Sequence, residues 1–177
     1  MPLTPPELQE LEKEATELAH KAGRILMERF RRPMTVEYKD KEGGKDPVTE
    51  ADRAAEAFLT EELSRRLPSH AIVGEEGAGT GTEAAPLTWV IDPLDGTTNY
   101  INGLPLFACS IGLLEEGVPV IGAIFLPWPE VTGGRVFHAR KGGGAWEGEA
   151  RLQVAPETRV EPGRVVVLSG VARGWAW

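Results

Sequence analysis

Apolar residues recur at helical spacing near the start of the chain. Leu8, Leu11, Ala15, Leu18, Ala22, Ile25 and Leu26 form one stripe, with charged residues between them. Thr4 can cap such a helix, Pro5 suits its first position, and Glu7 completes a capping box. Arg29, Arg31 and Arg32 stand at the far end, where positive charge complements the helix dipole, and Pro33 ends the pattern. A second helix is predicted to begin in Asp46-Pro47-Val48-Thr49-Glu50-Ala51-Asp52, capped by Thr49. Its apolar stripe runs through Ala55, Leu59, Leu63 and Leu67. Stepping back along that stripe reaches Asp52, whereas Glu56, Glu61 and Glu62 are expected to face water. A carboxylate on a buried stripe is costly unless it is paired or lies near a metal, although a helix dipole also favours an acid in the first turn.

Strand patterns follow. Val36 to Lys39 reads as a strand, and Asp40 to Asp46 as a polar loop that is either a flap over a site or a plain surface connection. Ser69 to Gly77 reads as a short strand ending in acids, and residues 77–86 as a loop too poor in apolar side chains to build a core. Val90-Ile91 is a buried strand that Pro93, lacking an N–H for the ladder, should stop. Leu106 to Leu114 and Val118 to Leu126 make a hairpin around Glu115-Glu116-Gly117. Pro127-Trp128-Pro129 breaks the run. Further strands are expected at Arg135 to Arg140, Ala150 to Val154 and Val165 to Leu168, with Gly142-Gly143-Gly144 as a turn.

Composition narrows the function classes. The chain has 177 residues, with 27 acids against 19 bases and a net charge of −8. That balance argues against a general nucleic-acid or anionic-membrane surface, which needs basic patches. It leaves phosphorylated substrates open, because a bound divalent cation reverses the local field. The single cysteine, Cys109, lies in an apolar run, so a buried structural thiol in a reducing, cytoplasmic compartment is expected. Neither a signal peptide nor a membrane span is read from the sequence. His20 and His70 have no partners at metal-site spacing and are read as structural.

The chemistry concentrates in Trp89-Val90-Ile91-Asp92-Pro93-Leu94-Asp95-Gly96-Thr97-Thr98-Asn99-Tyr100. Two acids end a strand, and turn or helix-cap residues follow. Oxygen ligands without His or Cys suit a hard cation such as Mg²⁺, and hydroxyls with free backbone N–H groups suit phosphate. This string resembles the signature of the inositol monophosphatase family, Mg²⁺-dependent, lithium-sensitive phosphomonoesterases. Pro47-Val48-Thr49-Glu50-Ala51-Asp52 and Gly74-Glu75-Glu76 resemble two further family motifs, in the family's order. The segment Arg140-Lys141-Gly142-Gly143-Gly144-Ala145-Trp146-Glu147-Gly148 resembles a fourth stretch, and a hairpin turn is preferred there over a phosphate loop.

The resemblance implies an α+β, sugar-phosphatase-like fold with layered α/β/α/β/α architecture, of which this chain would be the N-terminal two-thirds. Residues 1–155 would form a metal-binding domain and residues 156–177 the start of a truncated C-terminal subdomain. Glu75, Asp92, Asp95 and the main-chain carbonyl of Leu94 would be metal ligands. Asp52 would lie in the outer part of the metal cluster, and Glu75 and Thr97 would orient a water. Asp95, Gly96, Thr97 and Lys39 would meet the substrate, with Lys45 the alternative to Lys39. The implied reaction is hydrolysis of inositol monophosphate or a similar small sugar or polyol phosphate. Fructose 1,6-bisphosphate and 3′-phosphoadenosine 5′-phosphate are rival substrates. Family resemblance also implies a homodimer. The family's later W-D-x-A-[AG] motif, which supplies another metal-binding aspartate, has no match after Asp95. A non-catalytic binding module is therefore the reading from a different class.

Overall fold

The computed structural model describes residues 2–41, 44–74, 85–127 and 133–153. The first helix, α1 (Pro5–Arg29), begins as its capping box predicts: Glu7 Oε2 accepts from the Thr4 N–H at 2.8 Å and from the Thr4 hydroxyl at 2.6 Å. It ends before Pro33 is reached, at Phe30, and Arg31 then takes a left-handed conformation with φ 59°. A hairpin follows, β1 (Val36–Lys41) with β2 (Gly44–Thr49), in which Val36 pairs with Thr49 and Lys39 with Asp46. The expected loop at 40–46 is thus largely extended strand, because its backbone groups pair with each other across the hairpin.

The second helix, α2 (Glu50–Arg66), has Thr49 as its cap, with the Thr49 hydroxyl oxygen accepting from Ala51 N at 3.1 Å. Its buried stripe holds Asp52, Ala55, Glu56, Leu59 and Leu63. The expectation that Glu56 faces water is therefore corrected. It lies one turn beyond Asp52, and the stripe is wide enough to take both positions.

The remaining strands are β3 (Ala71–Gly74), β4 (Leu87–Asp95), β5 (Ala108–Glu115), β6 (Val118–Leu126), β7 (Arg135–Arg140), β8 (Gly144–Glu147) and β9 (Ala150–Leu152), with a short helix α3 (Thr97–Ile101) after β4. Among the described residues they form one seven-stranded sheet in sequence order, with β3 parallel to β4 and every later pair antiparallel. The β5–β6 hairpin turns at Glu116 (φ 50°) and Gly117 (φ 80°), a pair of left-handed residues that matches the twist of the strands. The pattern had not separated β8 from the glycine turn. The expected strand at Val165 to Leu168, and the whole of 156–177, lie outside the described residues.

Helices α1 and α2 cover one face of this sheet. The face of α1 carrying Leu11, Ala15, Leu18, Ala22 and Leu26 packs on β5, β6 and β7, while α2 packs on β3 and β4. At Gly23 of α1 an added Cβ would come within 2.2 Å of the Phe125 ring on β6. A mid-helix glycine costs about 1 kcal/mol against alanine; here it leaves room for the wholly buried Phe125 beneath the helix. Arg66 on α2 bridges to Glu14 and Glu17 on α1 and to Glu62 on its own helix. Glu12, on the buried face of α1, meets His138 at 2.8 Å and also Arg140, both from β7. On the opposite sheet face Val90 and Ile124 remain exposed.

Candidate metal and phosphate site

Strand β4 does not stop at Pro93. Asp92 pairs with Ser110 and Asp95 with Ala108, so β4 uses three steps where β5 uses two. This bulge accommodates a proline that cannot donate to the ladder, and such irregularities re-aim side chains at sheet ends. Within it Pro93 and Leu94 are buried, Asp92 is half-buried and Asp95 is exposed. The two acids therefore remain on one strand end, on either side of Leu94.

Gly96 turns the chain from β4 into α3 with φ 86°. Only glycine takes that conformation without penalty, and an added Cβ would also stand 2.9 Å from the Leu106 carbonyl oxygen. The short helix is held from three sides. Tyr100 N donates to Gly96 O at 3.1 Å, the Tyr100 hydroxyl donates to Leu26 O of α1 at 2.7 Å, and the Asn99 amide donates to Leu106 O at 2.8 Å. The N–H groups of such a first turn have no acceptor within the helix and point toward whatever lies beyond its start.

Asp52 reaches this place from α2. Its Oδ2 accepts from the Thr49 N–H at 2.8 Å and the Thr49 hydroxyl at 2.5 Å. Its Oδ1 lies 3.2 Å from Thr97 Oγ1, which in turn is 3.0 Å from the Leu94 carbonyl oxygen. Thr97 has one hydroxyl proton and two acceptor neighbours. The hydroxyl faces both the Asp52 carboxylate and the Leu94 carbonyl oxygen, which share it as acceptors. Burial, the largest influence, pushes the Asp52 carboxyl above its ordinary range, and the bonds from Thr49 and Thr97 only partly offset this. The desolvated acid and the single-proton hydroxyl thus form a chain ending on a main-chain oxygen.

Asp52, Leu94, Gly96 and Thr97 are brought together, with Asp92 and Asp95 on the same strand end as Leu94. Glu75 and Glu76 lie outside the described residues. Lys39 belongs to β1 and Lys45 to β2, and their side chains also lie outside what is described. Among the described residues no group of three or more His, Cys, Asp or Glu side chains is disposed to hold a metal. Cys109 is fully buried, and burial, with Asp92 adding to it, pushes its thiol well above the ordinary range, so it is no nucleophile.

Two polar pairings escaped the sequence pattern. Trp89 Nε1 donates to His70 Nδ1 at 3.1 Å, a partner for His70 that residue spacing does not indicate. Glu12 joins α1 to β7. Its place one residue after Leu11 and three before Ala15 was the available signal, since it falls within the same helical stripe.

The profile of the inositol monophosphatase family matches residues 7–173. "Phosphatase IMPL1, chloroplastic" of Arabidopsis thaliana is 36% identical over 167 residues, covering 93% of this chain and 44% of that protein. "Fructose-1,6-bisphosphatase/inositol-1-monophosphatase" of Aquifex aeolicus is 38% identical over 146 residues, covering 81% of this chain and 52% of its own. Among solved structures, the extragenic suppressor protein suhB of Bartonella henselae superposes with a TM-score of 0.72 at 35% identity, over 82% of this chain and 54% of that one. The chain therefore spans about half the length of the relatives it matches, less than the two-thirds expected from its motifs.

Proposed function

The chain belongs to the inositol monophosphatase family, and from that membership we infer that it serves hydrolysis of a small phosphate monoester, inositol monophosphate or a similar sugar or polyol phosphate, with Mg²⁺ as cofactor. The observation that carries this reading is the hydrogen-bonded chain from Asp52 through Thr97 to Leu94, built at the end of the strand that bears Asp92 and Asp95.

The donor set suits a hard cation. Asp92, Asp95, the Leu94 carbonyl and Glu75 offer only oxygen atoms, the ligand type that Mg²⁺ prefers. Bound Mg²⁺ would supply positive charge that acidifies a water and offsets the charge on the leaving oxygen. The chain's own residues do the positioning. The Thr97 hydroxyl, held by Asp52, would orient the attacking water together with Glu75. Asp52, with its raised proton affinity, would accept a proton at Oδ1. Gly96 and Thr97 N–H groups would receive phosphate oxygens, and Lys39 would add positive charge nearby. The same reading extends to inhibition by lithium and to a homodimer, and the buried free thiol of Cys109 is in keeping with the cytoplasm.

The test is release of inorganic phosphate from inositol 1-phosphate with millimolar Mg²⁺ and with EDTA. Turnover that requires the metal supports the reading. Absence of phosphate release from every small phosphate ester offered would end it for this chain. Fructose 1,6-bisphosphate is the second substrate to assay, favoured by the double name of the Aquifex aeolicus relative.

A further inference from the structure

Thr49 ends β2 and caps α2, and it is 1% exposed. A capping box asks two things of such a residue and its partner. The cap's hydroxyl oxygen accepts N–H groups of the first turn, and the third helical residue reaches back to the cap's own N–H. Both are met here, by Ala51 N on the Thr49 hydroxyl oxygen and by the Thr49 N–H on Asp52 Oδ2. One bond is left over. The box does not need the Thr49 hydroxyl proton, and that proton goes to Asp52 Oδ2 at 2.5 Å, the short distance of a hydroxyl on a carboxylate.

This additional bond divides the work of the carboxylate. Oδ2 takes two donors from one residue, so the group cannot turn about its side-chain bonds without losing both. Oδ1 is thereby aimed at Thr97, 3.2 Å away. Thr49 is itself fixed, because its backbone lies opposite Val36 in the hairpin and a β-branched side chain is stiff at χ1. Burial raises the proton affinity of Asp52, which is 4% exposed, and the Thr49 hydroxyl comes first among the influences that lower it.

We propose that Thr49 is a positioning residue for phosphate-monoester hydrolysis: through its hydroxyl it holds the Asp52 carboxylate in the orientation that presents Oδ1 to Thr97. The proposal rests on the phosphatase reading above. Thr49 acts through Asp52, so its effect should vanish where residue 97 has no hydroxyl to respond.

The experiment measures kcat and KM for phosphate release from inositol 1-phosphate with millimolar Mg²⁺, urea midpoints, and the Asp52 χ1 rotamer from NMR coupling constants in EDTA. Thr49→Val keeps the shape of the side chain and loses the hydroxyl. Its kcat should fall about 10²-fold, as a small misplacement near the chemistry can cost, with KM changed less than about twofold. Asp52 should then average between rotamers, whereas in the wild type it holds one. Thr49→Ser restores the hydroxyl and should match the wild type in kcat and rotamer. Thr49→Val combined with Thr97→Val should be no slower than Thr97→Val alone, because the two residues act in series. Losses that add in full mark a purely structural role and overturn the proposal. Wild-type kcat or a single Asp52 rotamer in Thr49→Val overturns it too, with the phosphatase reading left standing. A wild type that releases no phosphate overturns that reading and this proposal with it. Should Thr49→Val fail to fold, Thr49→Gly caps a helix about as well as threonine, offers no hydroxyl, and carries the same expectations.

Discussion

Thr97 Oγ1 stands 3.2 Å from Asp52 Oδ1, across a separation of 45 residues in sequence. The first prediction concerns this contact. Thr97→Val keeps the shape of the side chain and removes the hydroxyl, so phosphate release should fall about 10²–10⁴-fold, the usual worth of a positioned proton-transfer partner. Stability should fall only by about 1 kcal/mol, the net worth of one hydrogen bond. Thr97→Ser should retain most activity. Steady-state phosphate assays and urea midpoints on the three proteins check it.

Asp52 makes a prediction with a sign. Its folded-state pKa is raised above the ordinary 3.8 by burial. Such a group contributes stability that is complete below the unfolded value and is lost as pH rises through the folded one. At neutral pH, without metal, the ionised carboxylate therefore opposes folding. Asp52→Asn should raise the urea midpoint at pH 7 in EDTA, and should remove the part of the wild type's pH dependence that arises above pH 3.8. The same variant should lose phosphatase activity. A midpoint at pH 7 lower than the wild type's would contradict the assignment.

Gly96 is required by conformation and by space. Gly96→Ala must hold a side chain at φ 86°, 2.9 Å from the Leu106 carbonyl oxygen. The conformational part alone costs about 1–2 kcal/mol. Thermal unfolding should show the loss, and phosphate release should fall with it, since the strand-to-helix turn carries the N–H groups proposed to receive phosphate.

Gly23→Ala should destabilise the chain, although alanine is the better helix former. Its Cβ would stand 2.2 Å from the Phe125 ring, and overpacking of this kind costs about 1–3 kcal/mol. In a Phe125→Leu background the same change should cost less or stabilise. A double-mutant cycle in urea measures the difference.

Glu12→Gln should cost about 3 kcal/mol, the low end for removing one partner of a buried charged pair, because Arg140 keeps some access to water. Glu12 is 3% exposed, and it faces both His138 and Arg140. Loss should appear as a lower urea midpoint without loss of helical circular dichroism below the transition.

What the sequence determined by itself was local or nearly so. The capping box at Thr4 and Glu7, the cap at Thr49, the apolar stripes of α1 and α2 and the β5–β6 hairpin depend on residues within a turn or two of each other, and each formed as its pattern implied. The motif around Asp92 and Asp95 identified the family for the same reason, being continuous. Tertiary structure decided the rest. Pro93 stays in a strand because Ser110 and Ala108 on β5 leave room for a bulge opposite it. Glu12 and Glu56 are buried because of what packs against their helices, which helical spacing alone cannot specify. Thr97 meets Asp52, and His70 meets Trp89, because separate segments converge on the two ends of β4. A one-proton hydroxyl or a buried indole N–H demands a partner, but the chain's own order does not say which residue will arrive to satisfy it.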